Sequence, residues 1–191
     1  MGIRHEIVSR EKLIDSGFIA CNHRSYFDFA IDPLVGKGVI IGRIGAFLAV
    51  FFSSLLGLIN NRILFFRRGA TKRGVVYDKI IGHRCKFGKS FRVIFYPEGT
   101  RKNHLKLESV EDVKNHFRYG LLKSIYEDGK YPVQVIITTN KELVFNEKMM
   151  EASWGVNVKT VIGRVIRVEE YGTFEEFVEA LAKEWYECWN N

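Results

Sequence analysis

The chain has 191 residues, 47% of them hydrophobic, which is enough to bury a sizeable core in one domain. Lysine and arginine total 29 against 22 aspartates and glutamates, a formal net charge of +7, so the favoured partners are anions: nucleic acid, an acidic membrane surface or phosphorylated molecules. Three widely spaced cysteines make no paired metal-ligand pattern, and no secretory leader opens the sequence, which argues against a disulfide framework and for a reducing, cytosolic setting.

Residues 1–16 mix polar and apolar side chains without a motif and read as a lead-in helix or loop. The apolar run Gly17-Phe18-Ile19-Ala20-Cys21 then predicts a short buried strand, and polar residues follow it at once: Asn22-His23-Arg24-Ser25-Tyr26-Phe27-Asp28. His23 therefore stands where a strand stops. Ser25 is a helix N-cap candidate, with Tyr26, Phe27, Phe29, Ala30 and Ile31 as the apolar residues of the first turns, Asp28 in the first turn, and a break at Asp32-Pro33. A turn between His23 and Asp28 lets the carboxylate reach back to the ring, giving a base and its orienter. A carboxylate five residues after one of 5 histidines arises by chance in roughly one such sequence in six, so the pair alone is weak. At the same spacing, His5, His83, His104 and His116 meet Arg10, Gly88, Ser109 and Leu121 instead.

Val39-Ile40-Ile41 reads as a strand. Residues 44–59, almost unbroken in apolar character, fall short of the roughly twenty needed to span a bilayer. They are either a buried core helix or a monotopic lipid contact. Ile63-Leu64-Phe65-Phe66 predicts another strand, ending at Arg67 and Arg68, and residues 67–89 are strongly basic, with Val75, Val76, Ile80 and Ile81 as the apolar face of a helix and Gly88 as its exit. Most of these cations belong to a solvated face. The strand Arg92-Val93-Ile94-Phe95 delivers a second polar loop, Tyr96-Pro97-Glu98-Gly99-Thr100-Arg101. Two strand ends now carry polar loops, and in open α/β sheets ligands bind outside the carboxyl ends of the strands.

The rest reads as scaffold: a helix over 121–126 closed by Asp128-Gly129, a buried strand over 133–137, one or two strands over 156–168 interrupted at Gly163, and a final helix over 174–189 capped by Thr173. Phe177, Leu181, Trp185 and Trp189 recur at helical spacing as its packing stripe. The fold expected is α/β, a mixed and mainly parallel sheet flanked by helices, in a single domain over 1–191.

These motifs resemble the glycerolipid acyltransferase family, whose members include the 1-acylglycerol-3-phosphate acyltransferases. The family's Asn-His-x-Ser-x-x-Asp signature stands intact as Asn22, His23, Ser25 and Asp28, and its Phe-Pro-Glu-Gly-Thr-Arg signature stands as Tyr96 to Arg101, with Tyr in place of the first Phe. The family's apolar strand ending in a basic residue is matched by Ile63 to Arg68, and its helix and Pro-containing strand by Phe117 to Gly120 and by Tyr131-Pro132-Val133. Three positions depart from the pattern: Tyr96, Arg67 where an acidic residue is common, and Val135 where a second Pro is usual.

The resemblance implies acyl transfer from acyl-CoA or acyl carrier protein to the sn-2 hydroxyl of 1-acylglycerol-3-phosphate. It makes His23 the base, Asp28 its orienter, and Arg68 and Arg101 the phosphate contacts, with Arg67 as an alternate and no metal or redox cofactor needed. Planar guanidinium forks suit phosphate, although either arginine could instead form a surface ion pair. Glu98 has two readings, a ligand to glycerol hydroxyls or a carboxylate bonded to loop backbone, while Gly99 and Thr100 suggest amides that cradle an anion or a developing oxyanion. Cys21 could form an acyl-enzyme with His23 but reads better as a small buried hydrophobe. Ser25 lacks a nucleophile elbow.

Peripheral or monotopic association with an anionic, cytoplasm-facing membrane surface is expected, since the substrate is a lipid. A non-catalytic binder of anionic lipid would explain the charge but not the His23–Asp28 pairing. A nucleic-acid binder has only charge and 14% aromatic content behind it, so nucleic acid is not an expected partner.

Overall fold

The computed structural model describes residues 2–25, 28–43, 63–66, 73–83, 91–101, 106–146 and 151–191. In chain order they form β1 (Arg4–Ser9), β2 (Gly17–Cys21), α1 (Asp28–Gly36), β3 (Val39–Arg43), β4 (Ile63–Phe66), α2 (Arg73–Gly82), β5 (Arg92–Phe95), α3 (Val110–His116), α4 (Tyr119–Asp128), β6 (Val133–Thr139), the one-turn helix α5 (Lys141–Val144), the short hairpin strands β7 (Phe145–Asn146) and β8 (Glu151–Ala152), β9 (Asn157–Ile166), and α6 (Phe174–Trp189). Both the lipid-contact candidate at 44–59 and the residues Arg67 and Arg68 lie outside the described residues.

Seven strands make one sheet in the order β1-β9-β6-β2-β5-β3-β4. The run from β6 to β4 is parallel throughout; β9 turns antiparallel against β6, and β1 lies parallel to β9. Because successive side chains of a strand point to opposite faces, each central strand feeds two cores. Phe18 and Ala20 of β2 join Val93, Phe95, Val133 and Val135 on the face covered by α2, α3, α4 and α6. Ile19 and Cys21 join Ile40, Ile94 and Ile136 on the other, packed by Ile31 and Val35 of α1 and Val144 of α5. This double burial is why β2 reads as a continuous apolar run, with every residue buried.

The structure corrects three expectations. The lead-in contains an edge strand, β1, registered against β9 from Arg4↔Asn157 to Ser9↔Ile162. Its side chains are almost all exposed, so no hydrophobic period marks it, and the backbone ladder carries the pairing. Helix α1 does not stop at Asp32-Pro33; although Pro33 cannot donate to the carbonyl four residues back, the Lys37 N–H donates to the Pro33 carbonyl at 3.0 Å and the helix runs to Gly36. Gly163 does not divide β9, which is continuous from Asn157 to Ile166, but the ladder to β6 slips there, with Ile162 paired to Ile136 and Val165 to Gln134. A Cβ there would lie 2.8 Å from Cys188 Sγ and from Glu184 Oε1, so this glycine admits α6 onto the sheet. The final helix forms as its sequence predicts, with Thr173 and Glu176 making a reciprocal capping box.

Candidate active site

The adjacent strands β6, β2 and β5 run in one direction, so their carboxyl ends meet at one edge of the sheet. Two loops and α5 leave from that edge. Asn22, fully buried, locks two of the ends together: its side-chain amide donates to the Thr138 carbonyl at 2.8 Å and its side-chain oxygen accepts from the Thr138 N–H at 2.9 Å. The residue after it is thereby fixed against β6.

His23 Nδ1 lies 2.6 Å from Asp28 Oδ2. The same carboxylate oxygen accepts from the Arg24 N–H at 2.7 Å, and the Ser25 N–H reaches both carboxylate oxygens at 3.2 Å. A carboxylate held by its own loop cannot swing away, so the imidazole it binds is held too. Asp28 is fully buried while the His23 side chain keeps 15% exposure, which puts the carboxylate behind the ring and the ring at the surface of the crevice. With Nδ1–H donating to Asp28, Nε2 carries the lone pair that can take a proton. Tyr96 stacks on the ring at 4.3 Å between centroids, and Phe29 meets it edge-on at 6.2 Å.

Behind the dyad lies a second layer. Lys141 of α5, fully buried, directs its ammonium at Asp28 Oδ1 (3.2 Å), at both carboxylate oxygens of Asp32 (3.0 Å) and at the Asn22 carbonyl (2.8 Å). The Tyr96 hydroxyl donates to Asp32 Oδ2 at 3.0 Å. Burial alone would raise the Asp28 carboxyl, but Lys141, the His23 hydrogen bond and charge, and the Arg24 N–H outweigh it and hold Asp28 below its ordinary value. Burial also dominates at Asp32, aided by the Asp28 charge and opposed by Lys141, and pushes it up to about 7. For Lys141, burial would lower the ammonium, yet Asp32 and Asp28 raise it, so it stays charged.

The second loop comes up beside the first. Glu98, 1% exposed, accepts from the His23 N–H at 3.0 Å and lies 4.0 Å from the Arg24 guanidinium. The contact to the His23 N–H is backbone bonding of the kind one of the two readings of Glu98 expects. Gly99 has a φ of +69° and its N–H closes a turn onto the Tyr96 carbonyl at 3.0 Å, so that amide is engaged within the loop and not directed at an oxyanion. Thr100 is exposed and Arg101 half-buried. Arg24, 2% exposed, sits 4.2 Å from the centre of the Trp189 ring and ties the loop to the end of α6.

Burial pushes the Cys21 thiol well up, with the Asp32 charge adding to it, so the thiolate an acyl-enzyme requires is strongly disfavoured. The Ser25 hydroxyl donates to the Lys141 carbonyl at 3.4 Å. Among the described residues no cluster of three or more His, Cys, Asp or Glu is placed to hold a metal.

Asp32 and Lys141 escaped the sequence reading. Asp32 follows Asp28 by one helical turn, a spacing that puts both carboxylates on one face, but the stronger signal of Pro33 marked it as a breaker. Lys141 is 109 residues from Asp32, and nothing local distinguishes it from a surface lysine.

No protein-family model and no curated protein matches the sequence. Among solved structures, the fold is similar to that of the 1-acyl-sn-glycerophosphate (LPA) acyltransferase PlsC from Thermotoga maritima, with a TM-score of 0.63, 17% sequence identity, and coverage of 97% of this chain and 71% of that one. At this identity the likeness establishes a shared fold.

Proposed function

We propose that this protein is an acyltransferase that moves a fatty acyl group from acyl-CoA or acyl carrier protein to the sn-2 hydroxyl of 1-acylglycerol-3-phosphate, giving phosphatidic acid. The observation that carries the reading is the 2.6 Å contact between His23 Nδ1 and a buried, ionised Asp28, at the carboxyl edge of a mainly parallel sheet. The shared fold supports it, since the neighbour of similar architecture is a lysophosphatidic acid acyltransferase.

An alcohol is a poor nucleophile at neutral pH, whereas a thioester is already activated, so one positioned base suffices without a covalent enzyme intermediate. His23 Nε2 takes the hydroxyl proton as the alkoxide oxygen attacks the thioester carbonyl. The tetrahedral intermediate collapses, the C–S bond breaks, and the thiolate leaves with the proton that His23 returns. Asp28 holds the ring in the required tautomer and stabilises the transient imidazolium. Arg101, on the loop beside the dyad, and Arg68 are assigned to the acceptor phosphate. Glu98 secures the His23 backbone, and Gly99 and Thr100 shape the loop that presents Arg101. The lipid substrate calls for attachment to an anionic, cytoplasm-facing surface, with the basic residues and one edge of the apolar stretch at 44–59, near Phe51 and Phe52, as the contacts. No helix among the described residues is long and apolar enough to cross a membrane.

The test is a panel assay of purified protein with lysophospholipids of different head groups, each with acyl-CoA and with acyl carrier protein. Fastest turnover is expected with the lysolipid that carries phosphate alone, and Arg101→Ala should cost about 2–4 kcal/mol with that acceptor and much less with one lacking phosphate. Preference for another head group would reassign the acceptor. Lipid binding without transfer to any acceptor would reduce the protein to a lipid binder.

A further inference from the structure

Three buried charged groups behind His23, with the Tyr96 hydroxyl beside them, make a charge arrangement that a merely rigid scaffold would not need. Lys141, Asp28, Asp32 and Tyr96 are joined by contacts of 3.0 to 3.2 Å: the ammonium to both carboxylates, and the tyrosine hydroxyl to the second of them. Asp28 touches the Nδ1 side of the imidazole and Tyr96 covers its face, so the network grips the ring at two places. The lysine also holds the carbonyl of Asn22, the residue before His23. Apolar side chains would provide rigidity without desolvating three charges, and a buried ion cluster contributes little net stability against well-packed hydrophobic residues.

We propose that Lys141 and Asp32 are positioning residues that set the proton affinity of His23 through Asp28. The proposal rests on the reading of His23 as the base. With Lys141 positive and Asp28 negative, the net charge of the cluster is decided by Asp32, which burial pushes up to about 7, so it passes from zero to a single negative charge as Asp32 ionises. The Asp28 charge orients the ring through Nδ1–H and stabilises the imidazolium formed in transfer. Adding a negative charge beside the ring favours its protonated form, and removing one disfavours it. Other described charged or titratable groups lie around the dyad and its network. They are Cys21 from β2, Arg24 from the loop after β2, Glu98 from the loop after β5, and Glu142, which neighbours Lys141 on α5 and interacts with Arg24. Arg24 interacts with two carboxylates, Glu98 and Glu142, and none of the three is altered in a Lys141 or Asp32 variant, so a shift in those variants reports the lysine and the two aspartates.

The test is the titration midpoint of His23 followed by NMR of its ring carbons, in the wild type, Lys141→Met, Asp32→Asn and the double variant, together with the acid limb of the pH–rate profile. Lys141→Met should move both upward in pH by about one unit, and Asp32→Asn should move both downward by less, since Asp32 carries only part of its charge near neutral pH. The double variant removes one charge of each sign and should return both towards the wild-type position, which a packing defect would not do. If the single variants leave the midpoint in place, or if the double variant adds the two losses instead of cancelling them, the proposal is overturned. Should Lys141→Met fail to fold, Asp32→Asn and the double variant still decide it, because the first must shift the midpoint and the second must restore it. The titration needs no substrate, so absence of acyl transfer by the wild type would sink the acyltransferase reading while the midpoints still judged the charge arrangement.

Discussion

Asp28 and Asp32 stand one helical turn apart in α1 and share one lysine, yet their environments push them in opposite directions. Asp28, with a histidine, a lysine and backbone N–H groups around it, is held below its ordinary value, whereas burial raises Asp32 to about 7. The consequence for stability has a definite sign. A carboxyl whose folded value lies above its unfolded value of about 3.9 binds its proton more tightly when folded, so Asp32 contributes stability that declines as pH rises from about 4 to about 7. Asp28 works the other way, and only below about 4, where protonating it removes stability. Thermal melting across that range should show the decline in the wild type and a flatter profile in Asp32→Asn; identical slopes would contradict the assignment. His23 and Asp28 were legible in the sequence because chain-local spacing encodes their contact. Lys141 was not, because its role exists only once β6 is laid beside β2. Cys21 illustrates a residue whose chemistry is silenced by burial: Cys21→Ser should keep most of the transfer activity, and an acyl-thioester trapped on Cys21 would oppose the direct mechanism.

At the scale of elements, local signals found what local forces stabilise. The box at Thr173 and Glu176, the left-handed Gly129 at φ +66° closing α4, and the apolar strands β2, β5 and β6 all form where the sequence places them. A similar box at Ser109 and Asp112 starts α3, a helix too short for its hydrophobic period to show. Strand β1 went unread for the opposite reason, since an exposed edge strand carries no apolar alternation. Gly163 shows how one residue type signals two different things. It read as an interruption, and it is a point of close approach between β9 and α6, where an added Cβ would also lie 3.1 Å from the Val135 carbonyl oxygen. Gly163→Ala should therefore destabilise the fold by about 1–3 kcal/mol, measured by denaturant unfolding. A neutral effect would show that α6 can yield at no cost.

For the molecule as a whole, the α/β class followed from the alternation of short apolar strands with helical segments, and the structure realises it as one mainly parallel sheet with helices on both faces. The reversal at β9 was not legible, because strand direction depends on connections and not on composition. The net charge of +7 belongs to this scale as well. Sedimentation with anionic vesicles should weaken as salt rises, since exposed charges are screened over about 8 Å at physiological ionic strength, and salt-independent binding would place the contact in apolar insertion alone. The central claim, that His23 is the base of an acyl transfer, meets its most direct test in the single-turnover rate of acyl transfer to 1-acylglycerol-3-phosphate. That rate is measured side by side for the wild type, Asp28→Asn and His23→Ala, with folding checked by melting. The account predicts transfer by the wild type, a partial loss in Asp28→Asn, and none above background in a folded His23→Ala protein; near wild-type turnover by folded His23→Ala would contradict it.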